Sequence, residues 1–161
     1  MKEIELAIKW KKGVKNKGLF VLVDDDIFDK FKKWNWNLGE GYAQHRLSKK
    51  EGFKLVKMHR LIMNAPKGVE VDHIDGNRLN NQKQNLRFAS HGQNNQNRPK
   101  MHKSTNTSKY KGVGWMKSHQ LWRARIKHYH LGLFKTETEA AKAYDIKAKE
   151  LFREFSHLNF P

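Results

Sequence analysis

Between Gly76 and Thr136 the chain contains no aspartate and no glutamate, yet that 61-residue span carries thirteen Lys and Arg side chains. Folded surfaces normally mix signs. A stretch this long without an acid cannot neutralise its cations on its own carboxylates, so its surface is suited to phosphates along most of its length. The whole chain repeats the bias, with a formal charge of +17 and a pI near 10.1 over 161 residues. Its expected partner is a polyanion: DNA, RNA or an anionic membrane. Apolar runs such as Leu19 to Val23 are far shorter than the ~20 residues of a membrane span. The N-terminal MKEIELAIKWKK lacks the apolar core of a signal peptide. There is no cysteine, which excludes disulfides and a Cys-ligated zinc. The chain therefore reads as a cytoplasmic nucleic-acid binder, with no membrane partner. On charge alone, a generic basic protein of the ribosomal kind is the competing reading.

The sequence divides into three blocks and a linker. Residues 1–64 read as a β-rich segment. Gly18 to Val23 has the pattern of a buried strand. Asp24 or Asp25 can cap a short helix running to about Trp34, with Ile27, Phe28, Phe31 and Trp34 on its apolar side. Gly41–Leu47 and Phe53–Met58 read as a hairpin around Ser48 to Gly52, and the last strand runs on into His59–Met63. Trp34 and Trp36 are expected in the core. Residues 65–97 read as strand (Val69–Ile74), polar loop, strand (Asn85–Ala89) and helix (Ser90 to about Asn97), with Asp75-Gly76-Asn77 as a turn. Residues 98–107 are a basic linker. Residues 108–161 read as strands Lys111–Met116, Leu121–Lys127 and Tyr129–Phe134. A helix starting at Thr136 follows, with Glu137 and Glu139 in its first turn and Ala140, Ala141, Tyr144, Ala148 and Leu151 on one face. The expected class is α+β.

The chemistry concentrates in VDHIDGN, residues 71–77. Asp72 and His73 end a strand, and neighbouring strand residues face opposite ways. One can hold a metal while the other faces a substrate. Taken alone, the pair is equally a surface acid beside a turn histidine. Downstream, Asn85 precedes the second strand and Asn94 lies in the helix.

That order and spacing, VDHIDGN…NNQKQNLRFAS…QNN, resembles the HNH endonucleases with the ββα-metal fold, in particular the intron-encoded and free-standing homing enzymes of bacteriophages. The lead-in His59-Arg60-Leu61-Ile62 resembles them too. The likeness covers roughly residues 55–97. It implies His73 as the general base that deprotonates water, Asp72 and Asn94 as ligands of one divalent ion, and Asn85 as the residue tying the loop down beside His73. Hard oxygen ligands imply Mg²⁺ or Mn²⁺. A neutral imidazole with a pKa near ~6.5 suits a base at neutral pH. Asn95 and His91 are neighbouring candidates for the helix ligand, and Asp75 reads as a turn residue. Some relatives place a further His one helical turn on. Here that position is Arg98, which points to a single hard-metal site.

The third block resembles the apetala-two DNA-binding domain of plant ethylene-response regulators. The likeness rests on SKYKGVGW, WRARI, LGLFKTETEAAKAYDIKAKELF and LNFP. It implies a three-stranded sheet in the DNA major groove with a helix behind it. Strand alternation puts Trp122, Ala124 and Ile126 on one face and Arg123, Arg125 and Lys127 on the other. Arg123, Arg125, Lys127, Lys117, Trp115 and His130 are the candidate DNA contacts. Gly114 stands where an Arg is common in that family, and His130 where a Trp is frequent, so the plant target sequence does not carry over.

Together these point to a metal-dependent, site-specific DNA endonuclease, acting on double-stranded DNA as a monomer, or as a dimer for double-strand cleavage. Two rivals differ in class. A non-catalytic DNA-binding regulator leaves Asp72, His73, Asn85 and Asn94 without a purpose. A structured-RNA binder suits the acid-free span but not the metal constellation.

Overall fold

A computed structural model describes residues 1–5, 18–52, 54–100 and 105–161. Phe53, most of the MKEIELAIKWKK run, and Met101, His102, Lys103 and Ser104 of the basic linker lie outside the described residues. The chain mixes helices with small antiparallel sheets and divides into two compact units, Met1–His91 and Gly92–Pro161.

In the first unit, β1 (Lys2–Glu5) pairs antiparallel with β2 (Phe20–Val23). Val21 and Val23 are fully buried while Phe20 is exposed, the alternation a one-sided strand requires. Helix α1 (Asp25–Phe31) follows, with Ile27 and Phe31 buried. Asp24 is its N-cap residue, but its carboxylate does not cap the helix. Its Oδ2 instead accepts the backbone N–H of Lys83 at 2.8 Å. The helix stops at Phe31, short of Trp34, because the chain turns there. Trp36, 1% exposed, comes back under it and donates Nε1–H to the Phe31 carbonyl at 3.0 Å.

β3 (Asn37–Gly39), β4 (Tyr42–Arg46) and β5 (Leu55–Lys57) form a three-stranded meander. The β3–β4 turn is Glu40-Gly41, both at positive φ (54° and 80°), as a two-residue hairpin of right-handed twist demands. The stretch after β5, expected to continue as strand, is a helix, α2 (Met58–Ile62). Its apolar residues fall at i, i+3 and i+4. Met58 is fully buried, and Leu61 and Ile62 pack on the same core. Arg60 leaves that face and donates to the carbonyls of Val69, Ala65 (3.2 Å) and Pro66 (2.8 Å), which fixes the turn ahead of the next strand.

β6 (Glu70–His73) and β7 (Leu86–Ala89) form an antiparallel ribbon in which Asp72 stands opposite Arg87 and His73 opposite Leu86. The connecting loop is fastened to β2. The Leu22 N–H donates to Leu79 O, and Leu22 O accepts the Asn81 N–H, both at 2.8 Å. Leu79 packs on the cluster of Ile4, Val21, Val23, Phe31 and Trp36. Helix α3 (His91–Gln96) comes next, and the division between units falls at its first residue.

In the second unit, β8 (Val113–Met116), β9 (Leu121–Ile126) and β10 (Tyr129–Phe134) form an antiparallel sheet with β9 central. Helix α4 (Glu137–Phe152) packs on it through Ala140, Ala141, Tyr144, Ala148 and Phe152. Thr136 and Glu139 form a capping box at its start, a device that stabilises a helix by about 1 kcal/mol. The C-terminal tail closes the unit: Asp145 accepts from the backbone N–H groups of Asn159 and Phe160, and Asn159 hydrogen-bonds both backbone groups of Lys111.

Two lysines of the acid-free span turn inward. Lys100 donates to the carbonyls of Ser108, Tyr110 and Val113. Lys111 donates to those of Gln96 (2.7 Å) and Arg98 (2.6 Å). Burial pulls the Lys111 pKa down to about 8.

Gly112 has φ +77°, and an added Cβ there would lie 2.0 Å from the Tyr144 ring and 2.7 Å from Arg125 O. Gly112→Ala is expected to destabilise the fold by about 2–4 kcal/mol, from backbone strain plus overpacking. Thermal unfolding of the full chain checks this.

Candidate active site

Asp72 and His73 end β6 and face opposite ways, as a strand dictates. The Asp72 side chain is 6% exposed, and its Oδ2 accepts from Arg87 Nε (3.0 Å) and Nη2 (2.8 Å). Arg87 is its direct cross-strand neighbour. Counting back across the turn would have paired the two residues, but the sequence reading passed over Arg87.

His73, 4% exposed, faces a buried ring cluster. The His59 ring stands edge-on to it at 5.1 Å and 72°, and the Tyr42 ring lies 6.0 Å away. Tyr42 is itself held between two cations, Lys57 and Arg78, each 4.6 Å from its ring centre. Arg78 also donates to Glu40 O at 2.8 Å. Burial lowers the His73 pKa. The buried Asn81 side chain and the charges of Asp75 and Asp72 work the other way, while Arg78 adds to the lowering. For His59 burial is again the main cause, reinforced by His73, Lys57, Arg60 and Arg78, and its pKa falls to about 3. Nδ1 of His59 is buried and has no hydrogen-bond partner among the described residues. Both imidazoles are therefore neutral at neutral pH, the state in which a histidine can accept a proton.

Asn85 and Asp75 organise the loop that follows. Asn85 Oδ1 accepts the Asp75 N–H at 3.0 Å, and its Nδ2 donates to Asp75 Oδ1 (2.9 Å) and Asn80 O (2.8 Å). Asp75 also accepts from Asn77 N–H and from Asn80 Nδ2. One residue before Asp75, the Ile74 N–H donates to Asn85 O. Asp75 is thus more than a turn former, since three donors converge on its carboxylate and its own N–H donates to Asn85. Asn85 immediately precedes Leu86, the cross-strand partner of His73. Asn94 lies on α3 and is half-buried, whereas Asn95 beside it is exposed. Asn94 falls in the C-terminal unit. His91 is exposed, and its Nδ1 contacts Glu70 at 2.7 Å. Among the described residues no three His, Asp or Glu side chains gather as a metal-binding group.

On the sheet of the second unit, Arg123 and Arg125 share the face away from α4, with His130 opposite Arg125 on β10. Lys127, expected on that face, lies elsewhere, and Trp115 stands on the opposite one. Lys127 is outside the strand, in the β9–β10 turn at φ +50°, with its ammonium 4.9 Å over the Phe152 ring of α4. The alternation ends at Ile126, so it could not be extended to Lys127. Trp115 stands directly opposite Trp122, ring centres 5.0 Å apart, and so shares the face of Val113 and Ala124 that meets α4. Lys117 is exposed in the β8–β9 turn.

The HNH endonuclease family profile matches residues 56–96, which carry α2, the ribbon, its loop and α3. The chain is also similar to an uncharacterized HNH endonuclease of Acanthamoeba polyphaga mimivirus, 33% identical over 150 residues that make up 90% of this chain and 77% of that protein. The chain belongs to the HNH endonuclease family. A second similar protein is Protein 3.8 of Escherichia phage T7, 41% identical over 88 residues, 50% of this chain and 69% of that one. No solved structure matches. An HNH endonuclease is an enzyme that acts on DNA, which decides against a purely regulatory binder and against RNA as the substrate. Among the described residues no helix of this endonuclease is long and apolar enough to cross a membrane.

The buried histidines make a pH prediction. An unfolded histidine takes up a proton near pH 6.5, but folded His59 refuses it until about pH 3. Between those values the unfolded chain binds more protons. The contribution of His59 is complete above the unfolded value and is lost as pH falls, by up to about 1.4 kcal/mol per pH unit. Denaturant titrations at several pH values should show a shallower acid slope for His59→Phe than for the unaltered endonuclease.

Proposed function

We propose that this HNH endonuclease is a metal-dependent, site-specific enzyme of the homing type, in which His73 takes the proton from the water that attacks a DNA phosphodiester. The observation that carries this reading is the neutral, buried His73 imidazole at the end of β6, beside a loop locked by Asn85. Asn85 acts by holding that loop. Asp72 and Asn94 are the ligands proposed for one divalent cation, Mg²⁺ or Mn²⁺. The donor chemistry fits, since a carboxylate and an amide offer hard oxygens and the chain has no sulfur ligand from cysteine. When bound, such an ion stabilises charge on the phosphate and on the leaving 3′ oxygen. Arg87 holds the Asp72 carboxylate in one orientation and offsets its charge within the fold.

The C-terminal unit serves as the recognition module, with its sheet in the major groove as in apetala-two domains. A three-stranded sheet backed by α4 and presenting Arg123, Arg125 and His130 supports this reading. Arg pairs bidentately with guanine, so Arg123 and Arg125 carry the sequence preference. Lys117 in its exposed turn tracks phosphate. One site per chain implies a nick from a monomer, leaving 5′-phosphate and 3′-hydroxyl ends.

Supercoiled plasmid and a fragment library, incubated with Mg²⁺, Mn²⁺ or EDTA, test this directly. Nicking is expected with either metal and not with EDTA. His73→Ala is expected to lose roughly 10²–10⁴-fold in rate while binding DNA as before. Equal cutting by His73→Ala would remove His73 as the base. In a separate binding series, Arg125→Ala should cost about 1–3 kcal/mol on the preferred site and relax specificity at one position.

A further inference from the structure

The N-terminal segment contributes more to the site than bulk. Two of its rings reach the imidazole that the proposed reaction uses. His59 comes from α2 and Tyr42 from β4, neither of which belongs to the ribbon that carries His73.

We propose that His59 is a positioning residue for the general base: its ring, buried edge-on against His73 and backed by Tyr42, sets the plane in which the His73 imidazole meets the attacking water. The inference rests on the reading of His73 as the base.

The geometry has three parts. The His59–His73 contact is edge-to-face at 5.1 Å and 72°, an arrangement that aromatic quadrupoles favour and that restricts rotation of both rings. Tyr42 lies 4.8 Å from His59 and 6.0 Å from His73, so the three rings close a triangle in which each touches the other two. The stack is also anchored from outside itself. Met58, Leu61 and Ile62 hold α2 in the core, and Lys57 and Arg78 grip Tyr42 on β4. A β-strand imidazole without such a wall would swing about its two side-chain torsions. His59 is 5% exposed and uncharged at neutral pH, so it offers His73 a neutral edge rather than a competing cation.

A misplaced base loses rate without losing substrate when the groups that bind the DNA are left in place. The test compares the full-length wild type with His59→Ala, His59→Phe, Tyr42→Leu and His73→Ala. Single-turnover nicking is measured with enzyme in excess, and DNA affinity by gel shift. The His73 Cε1–H resonance is followed by NMR, and thermal melting confirms folding. His59→Ala is expected to nick roughly 10- to 100-fold more slowly with affinity unchanged within about threefold. The His73 resonance should move as the ring current of its neighbour disappears. His59→Phe, which keeps a ring, is expected to recover most of the rate. If His59→Ala does not fold, Tyr42→Leu carries the test from the third ring of the cluster, with the same loss of rate alone expected.

Full speed in a folded His59→Ala or Tyr42→Leu would overturn the proposal. So would a matched loss of affinity and rate, or an unmoved His73 resonance. If His73→Ala is inactive while His59→Ala is fully active, the positioning role alone falls. If His73→Ala nicks like the wild type, the base assignment fails and takes this role with it.

Discussion

Leu22 donates its backbone N–H to Leu79 and accepts one from Asn81, each at 2.8 Å, and the Asp24 carboxylate takes the N–H of Lys83. These bonds bind the long β6–β7 loop against β2, and Leu79 drops into the core beside Val21 and Phe31. A polar loop of this length would otherwise sample many conformations, each a loss of catalytic geometry. Fastened this way, it has the rigidity of the sheet it lies against. Asn85 and Asp75 then finish locally what Leu22 begins at long range. The ribbon bearing Asp72 and His73 is thus held by residues far away in sequence.

That division explains what could be read from the chain beforehand. Local signals were sufficient for the ribbon, the turn at Asp75-Gly76-Asn77, the three strands of the second unit and the Thr136 start of α4. Each has a short-range cause: alternation, a turn residue or a cap. The docking of the loop on β2 has none, because Leu22 and Leu79 carry no mark of their partnership. Helix α2 was misread because Leu61 and Ile62 follow a true strand without a break, and tertiary burial of the i, i+3, i+4 face decides in favour of helix. In the sequence His59 stands only in the lead-in His59-Arg60-Leu61-Ile62. Its contact with His73 crosses from one block to the next, so no local pattern could show it. The face expected for Lys127 differs for a simpler reason, since β9 ends at Ile126. A face assignment is only as good as the strand's end and the register of its neighbour.

The absence of acids from Gly76 to Thr136 also has an internal side. Without carboxylates nearby, buried cations find other acceptors. Lys100 and Lys111 take backbone carbonyls, and Arg87 reaches across the ribbon to Asp72, outside the span. Carbonyls at chain turns and helix ends are otherwise left to water. An ammonium that satisfies two or three of them works as a small cross-link. Part of the chain's positive charge is therefore structural, and the rest remains for DNA.

Lys111 shows where this enzyme can be taken apart. Composition changes at Arg98, which in the sequence marks the joint between the HNH segment and the C-terminal block. Yet the Lys111 ammonium closes the end of α3 through Gln96 and Arg98, and Asn159 at the far C-terminus pins the backbone of Lys111. A chimaera spliced at Arg98, whether made by recombination or by design, would give α3 a stranger's first strand and leave its last carbonyls uncapped. The helix end depends on the C-terminal unit, so a splice that keeps α3, with its Asn94, must also keep Lys111 and Asn159.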